Sequence, residues 1–224
     1  MEITNAIVKE LGINAGAVVV GVASARDFTG APEGCKPTDK LRDCRSVIVL
    51  GAPFPQEALS AGTAEYTAIR NTMVERMDNA AKGVAKRIKQ RGYRVKAVDG
   101  LGGKRINGRF YGHISLKHAA ELAGLGTIAR NYLLTNPRYG NLLWFSAVLT
   151  DAELAPNQKS RYDVCNSCNE CVNTCPAGAL DNPALFGQSK CYGTCYKQVE
   201  GKLELKCFQC RVVCPYQVTM QSER

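Results

Sequence analysis

The stretch Cys165-Asn-Ser-Cys168-Asn-Glu-Cys171-Val-Asn-Thr-Cys175-Pro176 governs how the rest of the chain is read. It is a C-x2-C-x2-C-x3-C-P run, the ligand pattern of bacterial 4Fe–4S ferredoxins. Thiolates three residues apart on a tight loop can reach three corners of a cubane. The fourth cysteine opens the next turn, points away, and in two-cluster proteins ligates the other cluster. Further on, Cys207-Phe-Gln-Cys210-Arg-Val-Val-Cys214-Pro215 repeats the theme one cysteine short. The missing ligand must lie upstream, where Cys191 and Cys195 are both available on spacing. The expected sets are Cys165, Cys168, Cys171 and Cys214 for one cluster, and Cys175, Cys207, Cys210 and one of Cys191 or Cys195 for the other. Paired C-x2-C motifs also suit structural zinc, but the cysteine-proline endings and the four-cysteine run favour cubanes.

Nine of the 11 cysteines fall between Cys165 and Cys214, and only Cys35 and Cys44 lie early. That shift in composition, preceded by a polar stretch at 155–161, predicts a boundary: residues 1–157 as one domain and 158–224 as a second. The 224 residues are enough to bury a core without disulfides. A charged fraction of 22% argues against disorder. The longest apolar stretch, 15–25, is interrupted by Gly21 and Ser24 and is too short to span a membrane. The opening Met-Glu-Ile-Thr-Asn lacks the basic start of a signal peptide. The expected location is therefore cytoplasmic, where clustered thiols stay reduced and signal metal or catalysis. The formal charge of +9 counts every cysteine as neutral. Two oxidised clusters at about −2 each would bring it to roughly +5, so charge alone does not argue for nucleic acid, and none is expected as a partner.

The first 155 residues far exceed what a ferredoxin needs. Apolar periodicity predicts helices over 2–11, 63–91 and 113–122, and strands over 17–23, 46–51, 93–98 and 142–149. The long helix should carry Arg70, Lys82, Lys86, Lys89 and Arg91 on a solvated outer face. The expected architecture is α+β, a mixed sheet flanked by helices. Gly-Leu-Gly-Gly at 100–103 lacks the strand–turn–helix setting of a phosphate loop. His113 and His118 read as polar or capping residues, and Cys35 and Cys44 as packing.

The segment Lys117-His-Ala-Ala-Glu-Leu-Ala-Gly-Leu-Gly-Thr-Ile-Ala-Arg-Asn-Tyr-Leu-Leu134 resembles the epoxyqueuosine reductase family, as do Tyr139-Gly140, Val148-Leu-Thr-Asp-Ala-Glu-Leu154, Ser46–Gly51 and Pro53-Phe-Pro55. The resemblance implies a nitroreductase-like, cobalamin-binding domain joined to a bacterial-ferredoxin-like module with two 4Fe–4S clusters that reduce the cobalt. Reductive dehalogenases share this layout. It also implies a lone ligand sixteen residues after the fourth cysteine, which is Cys191 rather than Cys195. Two departures stand out. The family's catalytic aspartate has no counterpart in Phe110-Tyr-Gly-His-Ile-Ser115, where Tyr111 or His113 would have to donate a proton. The sequence also stops ten residues after Cys214, so the family's tRNA-gripping helical repeats are expected to be missing.

The expectation is an iron–sulfur redox protein whose clusters pass electrons to a site in the first domain or to a partner. Its donor would be a protein such as a ferredoxin or flavodoxin, and its acceptor a small molecule or a corrinoid. Cobalamin is a cofactor that the first domain could hold. The alternatives are a cobalamin-dependent reductase and a non-enzymatic activator of a corrinoid protein.

Overall fold

The computed structural model describes residues 2–106, 109–162, 165, 167–182 and 185–217. The chain opens with α1 (Asn5–Asn14), β1 (Val19–Ser24), the short α2 (Pro37–Lys40) and β2 (Ser46–Pro53). The long α3 (Thr63–Lys89), β3 (Val95–Val98), the hairpin β4 (Gly103–Ile106) and β5 (Arg109–Gly112), and α4 (Leu116–Leu122) follow. Then come β6 (Thr127–Ile128), β7 (Leu134–Thr135) and β8 (Leu143–Thr150). The cysteine-rich segment holds α5 (Glu170–Asn173), α6 (Gln188–Cys195), the hairpin β9 (Tyr196–Val199) and β10 (Lys202–Leu205), and α7 (Gln209–Val212).

The main sheet has the order β1-β2-β8-β3. Every pairing in it is antiparallel, which corrects the expected mixed sheet. The unbroken apolar runs of β2 and β8 look like strands of a parallel sheet, which are buried on both faces. Here the same apolarity serves central strands covered on both faces by helices. Ile48, Leu50 and Val148 face one core with Val8, Met77, Val84 and Ile88 of α1 and α3. Val47, Val49, Ala147 and Leu149 face the other with Ala119 and Ala120 of α4. Because β2 and β3 run the same way, α3 crosses over between them, and β8 inserts into the gap in the opposite sense.

Local chemistry sets the element ends. Thr4 caps α1 by accepting from the Ile7 amide. Lys86, Arg87 and Lys89 occupy the last turn of α3, where the helix dipole favours cations. One face assignment differs from the sequence expectation: Arg70 is buried, at 7% exposure, because the cysteine-rich segment covers the first half of α3. Thr67 Oγ1 accepts from the Leu205 amide there, and Thr63 Oγ1 donates to Glu204 Oε1. The polar stretch after β8 is a strap against the edge of the sheet. Asn157 and Val22 exchange two hydrogen bonds, at 2.7 and 2.8 Å. Gly124, with φ of +73°, ends α4 beneath this strap; a Cβ there would meet the Gln158 carbonyl oxygen at 2.2 Å.

Candidate metal centre

The loops that follow α4 seat the cysteines. The Arg130 amide donates to Cys165 Sγ at 3.4 Å, and Asn131 Nδ2 donates to the Cys210 carbonyl at 2.9 Å. Asn141, 1% exposed, sends its amide to the Arg211 carbonyl and to Cys214. The Asn141 backbone amide holds the Tyr216 carbonyl at 3.0 Å. Where this return passes Gly140, with φ of +53°, a Cβ would lie 2.0 Å from that same carbonyl oxygen. Short helices α5 and α7 pack together, and each carries one cysteine inside its run and ends towards a Cys-Pro pair.

The thiols fall into two neighbourhoods. Burial raises the Cys171 thiol, and Cys165, Cys214 and Cys168 raise it further. Burial also raises Cys214, which feels Cys165 and Cys168 and is pulled down by the Tyr216 amide and the Asn141 side chain. Two thiols of the first run thus act on Cys214. In the second neighbourhood, Cys191 and Cys195 Sγ are 3.3 Å apart. The two thiols share a hydrogen bond, which lowers Cys191 to about 7 and raises Cys195; Cys207 raises Cys195 as well. Burial lifts Cys210 to about 12, opposed by Arg211 and reinforced by Cys191, Cys207 and Cys171. The two sets therefore adjoin through Cys171 and Cys210. Cys175 stands apart from these contacts: its sulfur accepts from the Ala179 amide at 3.4 Å. All 11 cysteines are free of disulfides.

Among the described residues, no three His, Cys, Asp or Glu side chains converge on a point as the ligands of one ion do. Ligands of a cubane need no such convergence, because each holds a different corner. Two adjacent sets of thiols fit that donor chemistry.

The other candidates take structural places. Cys44 is buried and bonded to the Ser46 carbonyl, with burial lifting its thiol to about 11; Cys35 is buried too. His118 Nδ1 is 2.6 Å from Oγ of Ser115, the residue preceding α4, and desolvation lowers its pKa. His113 closes over Gly102, where a Cβ would touch its Nε2 at 2.4 Å. The Gly100 amide is taken by Asp78 Oδ1 at 2.9 Å, so the glycines at 100–103 hold a carboxylate of the chain itself. Tyr111 pairs with Lys104 across the β4–β5 hairpin. That hairpin leans on α6: Gln188 bonds both the amide and the carbonyl of Phe110, and Arg105 covers the Tyr192 ring at 3.7 Å. No helix among the described residues is long and apolar enough to cross a membrane.

Sequence reasoning missed Tyr66, Phe208 and Arg211. Tyr66 of α3 stacks on Phe208, which lies between Cys207 and Cys210, with centroids 3.8 Å apart and planes within 4°. Arg211 is 6% exposed; it donates to the Asn141 carbonyl and to Tyr66, and lies 5.3 Å from the Phe54 ring. The only signal in sequence was position: both Phe208 and Arg211 flank a predicted ligand.

No family model matches the chain. Curated relatives do. The epoxyqueuosine reductase of Bacillus subtilis (strain 168) is 30% identical over 114 residues, 46% of this chain and 29% of that protein. The epoxyqueuosine reductase of Lactococcus garvieae (strain Lg2) is 25% identical over 220 residues, 88% of this chain. The chain is epoxyqueuosine reductase-like. It spans less than two thirds of these relatives, 29% of the first and 58% of the second. Solved structures share the fold. An epoxyqueuosine reductase crystallised with an epoxyqueuosine-modified tRNA stem loop superposes with a TM-score of 0.68 at 20% identity, covering 94% of this chain and 64% of that one. A reductive dehalogenase whose structure suggests a mechanism for B12-dependent dehalogenation gives 0.63 at 19% identity, covering 77% and 25%. This chain thus shares its fold with reductases of both kinds.

Proposed function

We propose that this chain is an oxidoreductase component with two 4Fe–4S clusters, passing electrons one at a time to a site in its first domain or to a partner. The observation that supports the reading is that Cys165 and Cys168 act on both Cys171 and Cys214, while Cys191, Cys195, Cys207 and Cys210 act on one another. Cys175 completes the second set in the ferredoxin pattern. The clusters, when bound, supply one-electron transfer. The residues of the chain hold them, bury them, and bond their ligands through Arg130, Asn131 and Asn141. On this reading residues 158–224 form the ferredoxin-like module, and residues 1–157 the nitroreductase-like body on which it sits.

A second reading, cobalamin-dependent reduction, is favoured by the fold shared with a reductive dehalogenase whose structure suggests a B12-dependent mechanism. The described clefts do not add to it. One, of about 400 Å³, is lined by Asn71, Asp78, Lys82 and Asp99 among others, and no cysteine or histidine lines it. Under that reading a modified tRNA becomes a substrate to test, in spite of the sequence expectation against nucleic acid.

Anaerobic reconstitution with iron and cobalt counted separates the readings. About eight irons per chain are expected; four irons, or about two zincs, would sink the two-cluster reading. Cobalt retained with a corrinoid spectrum supports the second reading, and eight irons without cobalt the first. Cys214→Ala should damage the cluster held by Cys165, Cys168 and Cys171; loss confined to the other cluster overturns the crossed arrangement.

A further inference from the structure

Cys191 has no run of its own. It stands sixteen residues from Cys175 on one side and sixteen from Cys207 on the other. The cysteines of the two runs sit on tight loops and on α5 and α7, which pack on one another. Cys191 instead lies within α6, a helix of eight residues. Isolated helices shorter than about 12–15 residues are marginal in water, so α6 keeps its place by what it touches.

Its two ends are tied within the cysteine segment. The Gly187 amide donates to the Ala179 carbonyl at 2.9 Å, and the Lys206 amide donates to the Cys195 carbonyl at 2.6 Å. The body supplies a third hold. Gln188 Oε1 accepts from the Phe110 amide at 2.6 Å, and Gln188 Nε2 donates to the Phe110 carbonyl at 2.9 Å. Both groups of Phe110 point away from β4, as they do at alternate residues of an antiparallel strand. One side-chain amide thus takes the place of a neighbouring strand. One turn further along α6, the Tyr192 ring lies under the Arg105 guanidinium at 3.7 Å and stacks on Tyr196 at 4.7 Å. Positions i and i+4 share a helix face, so that face of α6 meets both strands of the hairpin. Cys191 lies between the two anchors, and its amide closes the first turn on the Gly187 carbonyl at 3.0 Å. The hairpin β4–β5 is a two-stranded sheet of its own, and such a hairpin is marginal unless something packs on it. Hairpin and helix each supply the support that the other lacks.

We propose that Gln188, Tyr192 and Arg105 are positioning residues for Cys191, and that through them the body completes the second cluster's site. Cys175, Cys207 and Cys210 can hold three corners of a cubane, and the fourth corner stays open to solvent unless Cys191 is in reach. Outer residues that orient a ligand matter nearly as much as the ligand itself. The first cluster takes all its ligands from the two runs, so the brace does not touch it. The inference rests on the two-cluster reading with Cys191 as the eighth ligand. It adds that residues 158–224 hold the first cluster alone but need the β4–β5 hairpin for the second.

The test is an iron-chelator challenge of the anaerobically loaded full chain, with iron counted and the reduced clusters read by electron paramagnetic resonance. Cys207→Ala and Cys165→Ala identify the signals of the second and first clusters. With Gln188→Ala and Arg105→Ala combined, the second signal should be lost at about a tenfold lower chelator concentration, and the first should not move. Gln188→Glu keeps the size of the side chain but cannot donate to the Phe110 carbonyl, so it should weaken the same cluster. Tyr192→Phe, which keeps the ring under Arg105, and Lys190→Ala, exposed on α6, should behave as the unmutated chain does. Urea midpoints of the metal-free variants, read by Trp144 fluorescence, should match the unmutated value, because the bonds removed are exposed ones. Unchanged chelator resistance, equal weakening of both signals, or losses that simply follow the urea midpoints would each overturn the positioning role while eight irons leave the two-cluster reading standing. Four irons in the unmutated protein overturns that reading and the positioning role with it.

Discussion

Tyr66 ties the cysteine segment to the body beneath it, and its removal should be costly in a way that can be divided. The ring is 3% exposed, stacks on Phe208 at 3.8 Å, and tilts against Phe54 at 5.4 Å and 53°. Truncating a buried aromatic to alanine costs about 3–5 kcal/mol, of which an aromatic pair accounts for about 0.5–1.5 kcal/mol beyond its area. The hydroxyl accepts from Arg211, and losing a bond to a charged group costs about 1.5–3 kcal/mol. Tyr66→Phe should therefore lose about 2 kcal/mol, and Tyr66→Ala about 5 kcal/mol once non-additivity trims the sum.

The assay is urea unfolding of the metal-free, reduced protein, read by the fluorescence of Trp144, the single tryptophan, whose ring lies 5.7 Å from Phe54. With a slope of about 2 kcal/mol/M, the midpoint should fall by about 1 M for Tyr66→Phe and about 2.5 M for Tyr66→Ala. Phe208→Ala combined with Tyr66→Ala should cost less than the two single losses added together. Strictly additive losses would refute the stack as the joint between α3 and the Cys207–Cys210 loop. So would a Tyr66→Ala midpoint no lower than that of Tyr66→Phe.

Three further outcomes follow from particular contacts. Gly140→Ala should displace the Tyr216 carbonyl and, with it, Cys214, lowering iron content most at the first cluster; iron counts equal to those of the unmutated chain would refute the close approach. Cys191→Ala should lose or convert one cubane, whereas Cys195→Ala should keep about eight irons; the reverse result would make Cys195 the ligand. Cys44 should resist alkylation in the folded chain at pH 8, because only the thiolate reacts and burial lifts its pKa to about 11. Because the folded state holds that proton more tightly, the Cys44 contribution to stability is lost as pH rises from about 9 to about 11. Rapid alkylation at pH 8 would contradict its burial.

The elements of the body were legible because their apolar periods are unambiguous. The run at 46–51 and the periodic positions of the long helix place β2 and α3 almost to the residue. Strand direction was not legible, because a central strand covered on both faces reads the same whichever way its neighbours run. Arg70 shows a second limit. Periodicity sorts a helix into an inner and an outer face, but α3 has two covers: Met73, Met77 and Val84 pack on the sheet, while Tyr66, Thr67 and Arg70 lie under the cysteine segment. A basic residue on the second face looks solvated in sequence, and only the fold shows what lies over it.

The cysteines were legible for the opposite reason, since their spacing is local. What seats them is not local, and this gives the reductase-like segment at 117–134 its meaning. Lys117 reaches the Tyr132 carbonyl, Glu121 Oε1 accepts from the Ile128 amide, Arg130 lends its amide to Cys165, and Asn131 holds the Cys210 carbonyl. Gly124 and Gly126, both at positive φ, let the chain turn there against the Gln158 and Thr135 carbonyls with no room for a Cβ. These contacts fix a rigid floor on which two cysteine loops, distant in sequence, can be held side by side. The motif that relates this chain to larger reductases is thus the part of the body that the cysteine segment needs. Asn141 completes the floor, since one buried side chain bonds both the Arg211 carbonyl and Cys214. Shifting any one of these bonds moves a cysteine, because each is made to a cysteine or to a residue beside one.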